Sequence, residues 1–118
     1  MPAPSPEIMD RKLAFLRRFI ADLASYGRLD DAGRRREHYA IERLLQLLCE
    51  SAADIGLQLL KARAEALPGS YREVFSALAA GDGLPADLRD QLIAAWGMRN
   101  VLTYLYDTID LDRVIAAT

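Results

Sequence analysis

The sequence predicts an all-α fold: an up-down, antiparallel four-helix bundle with a short extra helix at the C-terminus. Three observations lead there. Apolar residues recur every three or four positions along most of the 118 residues. No stretch alternates apolar and polar residues for long enough to make a strand. The breaks between periodic segments are short and rich in Gly, Pro and Asp, which suits antiparallel neighbours.

Residues 1–6 include three of the five prolines and are expected to form a flexible N-terminus. Residues 7–118 then make one domain, long enough for a single core. The first helix starts near Pro6 and runs to about Tyr26. Met9, Leu13, Leu16, Ile20 and Leu23 form one helical stripe, which Phe15 and Phe19 widen. Gly27 fits a C-cap, where a left-handed backbone costs glycine nothing.

Asp30 or Asp31 can accept the free N–H groups that open a long second helix, reaching about Ala66. Its main stripe is Ile41, Leu44, Leu45, Leu48, Ala52, Ile55 and Leu59. Leu47, Glu50, Asp54 and Leu57 fall on the other side. A helix apolar on both sides is central to its bundle or meets a second partner, which suggests a subunit contact.

Pro68-Gly69 breaks the chain, and Ser70-x-x-Glu73 reads as a capping box. In that reading Glu73 reaches back to the N–H of residue 70. The third helix is short, with Tyr71, Val74, Phe75 and Leu78 on one face. Gly81-Asp82-Gly83 ends it. Pro85 suits the first turn of the fourth helix, which continues through Leu88, Leu92, Ala95, Trp96 and Met98 or Arg99. Asp110 can cap a last short helix containing Val114.

Composition narrows the function. At 52% hydrophobic and 27% charged the chain is an ordinary folded domain. A net charge of −2 argues against indiscriminate nucleic-acid binding but leaves room for a local basic site. The single cysteine forbids an internal disulfide and points to a reducing, cytoplasmic compartment. The N-terminus lacks the basic start and apolar core of a signal peptide, and no apolar run is long enough to span a membrane.

The chemistry gathers in Met98-Arg99-Asn100-Val101-Leu102-Thr103-Tyr104-Leu105-Tyr106-Asp107-Thr108-Ile109-Asp110. A lone arginine is usually solvated, but Arg99 sits in the most apolar quarter of the chain. There its planar fork of donors suits a phosphate. On an ideal helix Arg99, Thr103 and Tyr106 project on one side, and Tyr104 lies about 140° from Arg99. One helix therefore brings residues 99 and 104 together only if it bends or ends between them; a two-fold dimer sharing a groove is the other solution. Tyr104 and Tyr106 have the plain reading of helix-end tyrosines with a buried ring and an exposed hydroxyl.

Other candidates carry less. His38 is the only histidine, in Arg34-Arg35-Arg36-Glu37-His38-Tyr39, where the arginines read as a solvated helix face rather than an RNA-binding patch. Glu50 and Asp54, one turn apart, are two carboxylates without a histidine. They read as a subunit-interface or solvated pair rather than a metal site. Cys49 reads as a small core residue. No Gly-rich phosphate loop, Cys-x-x-Cys pair or Ser/His/Asp arrangement is present, so no cofactor is expected.

Arg99-Asn100-Val101-Leu102-Thr103-Tyr104-Leu105-Tyr106, followed by Ile109-Asp110 and Val114, resembles the end of the HepT-like toxins of the HEPN superfamily. Glu42-Arg43-Leu44-Leu45-Gln46 through Ala53-Asp54-Ile55 resembles that family's long second helix. Ser70-Tyr71-Arg72-Glu73-Val74-Phe75 and Leu84-Pro85 resemble the segment before the motif. The resemblance covers roughly residues 8–116.

It implies a homodimeric, metal-independent endoribonuclease, the toxin of a toxin–antitoxin pair, with RNA as substrate. Arg99 would hold the phosphate, and Asn100 would orient the motif. Tyr106 would accept AMP from an MNT-type nucleotidyltransferase antitoxin. One position departs: the family's catalytic histidine falls on Tyr104, and a phenol is a poor acid–base group near neutral pH. The resemblance therefore implies an inactive or attenuated chain. Either this is a naturally altered member or the toxin was inactivated by a single-base His-to-Tyr change; the intactness of every other motif position favours the second. The alternative is a non-catalytic helical subunit that dimerises and binds a nucleotidyltransferase.

Overall fold

In the computed structural model, which describes residues 6–62, 69–80 and 85–118, six α-helices and one 3-10 turn follow one another without a strand among the described residues. The helices are α1 (Pro6–Gly27), α2 (Asp31–Arg36), α3 (His38–Ala62), α4 (Tyr71–Ala80), α5 (Ala86–Tyr104) and α6 (Leu111–Ala116), with the 3-10 turn at Tyr106–Thr108. The four longest are the bundle helices, and α6 is the expected short addition. The N-terminal residues 1–5, the end of the second predicted helix near Ala66, the Pro68 break and Gly81-Asp82-Gly83 lie outside the described residues.

The predicted second helix is two helices. Asp30 caps α2, its Oδ1 accepting from Gly33 N at 2.7 Å. The chain turns at Glu37 and restarts as α3 at His38. The restart frees α2 to lie against α6, where Arg35 pairs with both Asp31 and Asp112, at 2.8 and 2.7 Å.

The α3 helix touches every other α-helix among the described residues, the central position its two apolar sides require. Two buried clusters sit along it. Ile41 and Leu45 pack with Leu102, Val114 and Ile115 at one end. Leu60 packs with Val74 and Leu78 at the other. Gly56 allows α4 to approach closely: a Cβ there would meet Leu78 Cδ1 at 2.9 Å and Val74 Cγ1 at 3.0 Å. The stripe read from sequence holds for Ile41, Leu45 and Ile55, but Leu59 is exposed while its neighbour Leu60 is fully buried. Packing against α4 rotates the buried face by one residue at that end.

Four other local expectations are corrected. Gly27 ends α1 without a left-handed backbone; a Cβ there would instead come within 3.2 Å of the Thr118 carbonyl oxygen. Ile20 is about half exposed rather than core, and no residue of α1 is fully buried. Pro85 is the N-cap residue of α5, one place before the first turn. At α4 Ser70 Oγ accepts from Glu73 N as expected, but the Glu73 carboxylate accepts from Gly69 N at 3.0 Å rather than from residue 70. Asp110 caps α6, accepting from Asp112 N at 3.1 Å. Among the described residues no helix is long and apolar enough to cross a membrane.

Candidate functional site

Three helices build a groove of about 550 Å³ around Arg99. From α1 come Lys12, Phe15 and Phe19; from α3 Leu47, Glu50, Ser51 and Asp54; from α5 Trp96 and Arg99. Each set has helical spacing, so each helix contributes one face. The walls are apolar and the cations sit between carboxylates.

The Arg99 side chain is only 15% exposed. Its Nη2 and Nε both donate to Glu50 Oε1, at 2.8 and 3.1 Å, and its Nη1 donates to Asn100 Oδ1 at 3.2 Å. The guanidinium carbon lies 4.7 Å from the centroid of the Trp96 ring and 5.6 Å from that of Tyr104. Burial works against the Arg99 charge, but hydrogen bonds and charge interactions with Glu50 and Tyr104 outweigh it and raise the pKa above the ordinary value. Arg99 is thus a permanent cation whose orientation is fixed by three kinds of contact.

Two geometric expectations fail together. Arg99 and Tyr104 meet within one chain, although α5 runs straight through both. The long arginine side chain spans the turn that the helical projection alone puts between them. Tyr106, projected beside Arg99, lies elsewhere. The helix stops after Tyr104, Leu105 takes φ −119° and ψ 38°, and Tyr106 enters the 3-10 turn. The Thr108 hydroxyl and N–H both donate to the Leu105 carbonyl and hold that turn. Tyr106 then lines a second cavity, beyond the end of the helix.

Glu50 and Asp54 each hold a cation: Glu50 holds Arg99, and Asp54 is paired with Lys12. Among the described residues no three His, Cys, Asp or Glu side chains gather as metal ligands would. Cys49 Sγ faces the Ala95 carbonyl oxygen at 3.5 Å. Burial, with the nearby Glu50 charge, pushes its thiol up to about 11, so it is a poor nucleophile near neutral pH.

The second cavity, about 480 Å³, is lined by His38, Tyr39, Glu42, Arg43 and Gln46 of α3, Leu102 of α5, and Tyr106, Ile109 and Leu111. His38 Nδ1 and Glu42 Oε2 are 2.7 Å apart, and the His38 and Tyr39 rings lie 4.0 Å centroid to centroid. Gln46 Nε2 donates to Thr103 Oγ1 at 3.2 Å, tying this face of α3 to the end of α5. Sequence reasoning missed this grouping. The signal was present: His38–Glu42 and Tyr39–Arg43 are both i,i+4 pairs on one helix.

An all-helical bundle that holds an Arg-Asn pair over a cleft near the end of its last long helix is a domain of the HEPN class. Residues 9–118 match the model of the family described as Ribonuclease HepT-like, and the chain belongs to that family. It is 31% identical over 115 residues to a tRNA nuclease HepT of Aphanizomenon flos-aquae (strain 2012/KM1/D3), covering 95% of this chain and 78% of that protein. It is 26% identical over 114 residues to an mRNA nuclease HepT of Shewanella oneidensis, covering 92% and 84%.

Two solved structures share the fold. One, described as a toxin-antitoxin with AMP-PNP, superposes with a TM-score of 0.82 at 23% identity, over 96% of this chain and 88% of that one. The other, the Bacillus subtilis cytosolic protein YutE, of unknown function, gives 0.79 at 20% identity, over 98% and 78%.

Proposed function

We propose that this chain is a HepT-like toxin by descent: a metal-independent, homodimeric endoribonuclease of the cytoplasm, inactive or attenuated because Tyr104 stands where the reaction needs an imidazole. The observation that carries the reading is the state of Arg99. It is nearly buried, oriented by Glu50, Asn100, Trp96 and Tyr104, and placed at an open groove, as a phosphate-binding cation should be. The nuclease names of both sequence relatives support an RNA substrate.

In this reading an RNA phosphate displaces the Glu50 carboxylate and takes the guanidinium. Arg99 then stabilises the charge that builds on the phosphorus oxygens as the bond breaks. Asn100 keeps the guanidinium aimed. The residue at 104, in contact with Arg99, is the place where a proton must be moved, and histidine does this near neutral pH far better than a phenol. Exposed Phe15 and half-buried Phe19 at the groove support a second copy packing there.

The antitoxin in this reading is an MNT-type nucleotidyltransferase. Tyr106, 73% exposed, attacks the α-phosphorus of ATP. A bond from its phenol oxygen to phosphorus forms, the bond to pyrophosphate breaks, and the phenol proton is released. The toxin–antitoxin neighbour holding a nucleotide analogue supports such a partner.

The test is Tyr104→His. Restored histidine should produce growth arrest and RNA cleavage that Arg99→Ala abolishes, with the unaltered chain harmless. A Tyr104→His protein that neither arrests growth nor cuts RNA would remove the nuclease reading. The second reading, a non-catalytic dimerising subunit of a nucleotidyltransferase, has one observation in its favour: Glu50 already neutralises Arg99.

A further inference from the structure

The cavity beside Tyr106 has the features of a nucleotide seat. Its residues come mainly from one face of α3 and from the segment around Tyr106. Tyr39 is strongly exposed and offers an aromatic face, already ordered by its contact with the His38 ring. Bases of any sequence stack on such rings.

The polar groups of the cavity are complementary to the rest of a nucleotide. Glu42 is nearly buried, with 12% of its side chain exposed, and its carboxylate can only accept from His38 Nδ1. In the tautomer that donates from Nδ1 alone, Nε2 is an acceptor, which suits a base with an exocyclic amino donor. Arg43, one turn beyond Tyr39, is exposed, and no ion pair among the described residues engages it. It is the cation available to a phosphate. At about 480 Å³ the cavity is within the range that holds small ligands.

From this juxtaposition we propose that the cavity formed by His38, Tyr39, Glu42 and Arg43 seats the adenylate attached to Tyr106, with the base on Tyr39 and the phosphate at Arg43. The inference rests on the reading of Tyr106 as the acceptor. A phosphodiester is a short tether, so a nucleoside joined to Tyr106 must settle on the surface that adjoins it, and this cavity is that surface. Seated there, the group is shielded rather than trailing in solvent.

The experiment measures removal of the group after it has been attached. The full chain is incubated with ATP and an MNT-type nucleotidyltransferase, and the adduct on Tyr106 is verified by peptide mass spectrometry. The modified protein is repurified and treated with a phosphodiesterase. Tyr39→Ala should lose the nucleotide roughly tenfold faster than the unaltered chain, the scale of one lost base–aromatic stack, and Arg43→Ala, which removes the phosphate's cation, should also lose it faster. Tyr39→Phe keeps the stack and should release slowly, like the unaltered chain. Both positions are exposed, and circular dichroism checks that each variant is folded. Equal release from all four proteins overturns the seat while leaving Tyr106 as acceptor. A chain that acquires no adduct on Tyr106 overturns the acceptor reading and the seat with it.

Discussion

Removing the Glu50 carboxylate tests how Arg99 is held. In the intact protein two guanidinium nitrogens donate to one Glu50 oxygen, with the arginine side chain 15% and the glutamate 38% exposed. Breaking a fully buried pair costs about 3–5 kcal/mol, and an exposed pair contributes about 0.2–1 kcal/mol. This pair lies between. Solvent screens the glutamate end, while Asn100 and the Trp96 and Tyr104 rings remain to support the cation after Glu50 is gone.

Glu50→Ala should therefore cost about 1–2 kcal/mol. A double-mutant cycle with Arg99→Ala should return a coupling of about 1 kcal/mol, measured by urea unfolding at constant m-value. Glu50→Gln should fall between wild type and alanine, because an amide oxygen still accepts while the charge is lost. A coupling below about 0.3 kcal/mol would refute the argument, because independent sites add to within that margin. Arg99 would then be held by Asn100 and the two rings alone.

Other expectations follow from packing and from Cys49. Leu60 is fully buried between α3 and α4, so Leu60→Ala should cost about 2–5 kcal/mol and lower Tm by roughly 10 °C in calorimetry. Gly56→Val puts atoms where Leu78 and Val74 already lie; a loss of about 1–3 kcal/mol, with faster amide exchange in α4, is expected, and an unchanged Tm would count against the close helix contact. The Cys49 thiol, raised from 9.0 to about 11, should alkylate about a hundredfold more slowly at pH 8 than an unperturbed thiol. The sign for stability is set by the same shift. The group favours folding below pH 9, and that contribution is lost as pH rises to about 11, so Cys49→Ala should flatten the alkaline end of the stability profile.

The helices and most of their ends were legible in the sequence because periodicity and caps are local signals. Asp30, Ser70 and Asp110 all accept the backbone N–H groups expected of caps. The joint at Glu37 was not legible, since the polar run around it has no apolar stripe whose phase a break could shift, and α2 is set by its contact with α6. The site was half legible. Residue identity singled out Arg99, Asn100, Tyr104 and Tyr106, but a helical projection assumes that the helix continues and that side chains have no length. Both assumptions fail between Arg99 and Tyr106. Glu50, distant in sequence and assigned to another face, could be matched to Arg99 only once α3 and α5 were packed.

The short interruption at Leu105 also divides the chain's response to substitution. It gives two tyrosines, close in sequence, separate surroundings. A substitution at 104 is felt by the Arg99 side chain, whereas one at 106 is felt by the His38 cavity. Changes at the two positions should therefore act independently, because the surroundings that register one are not those that register the other.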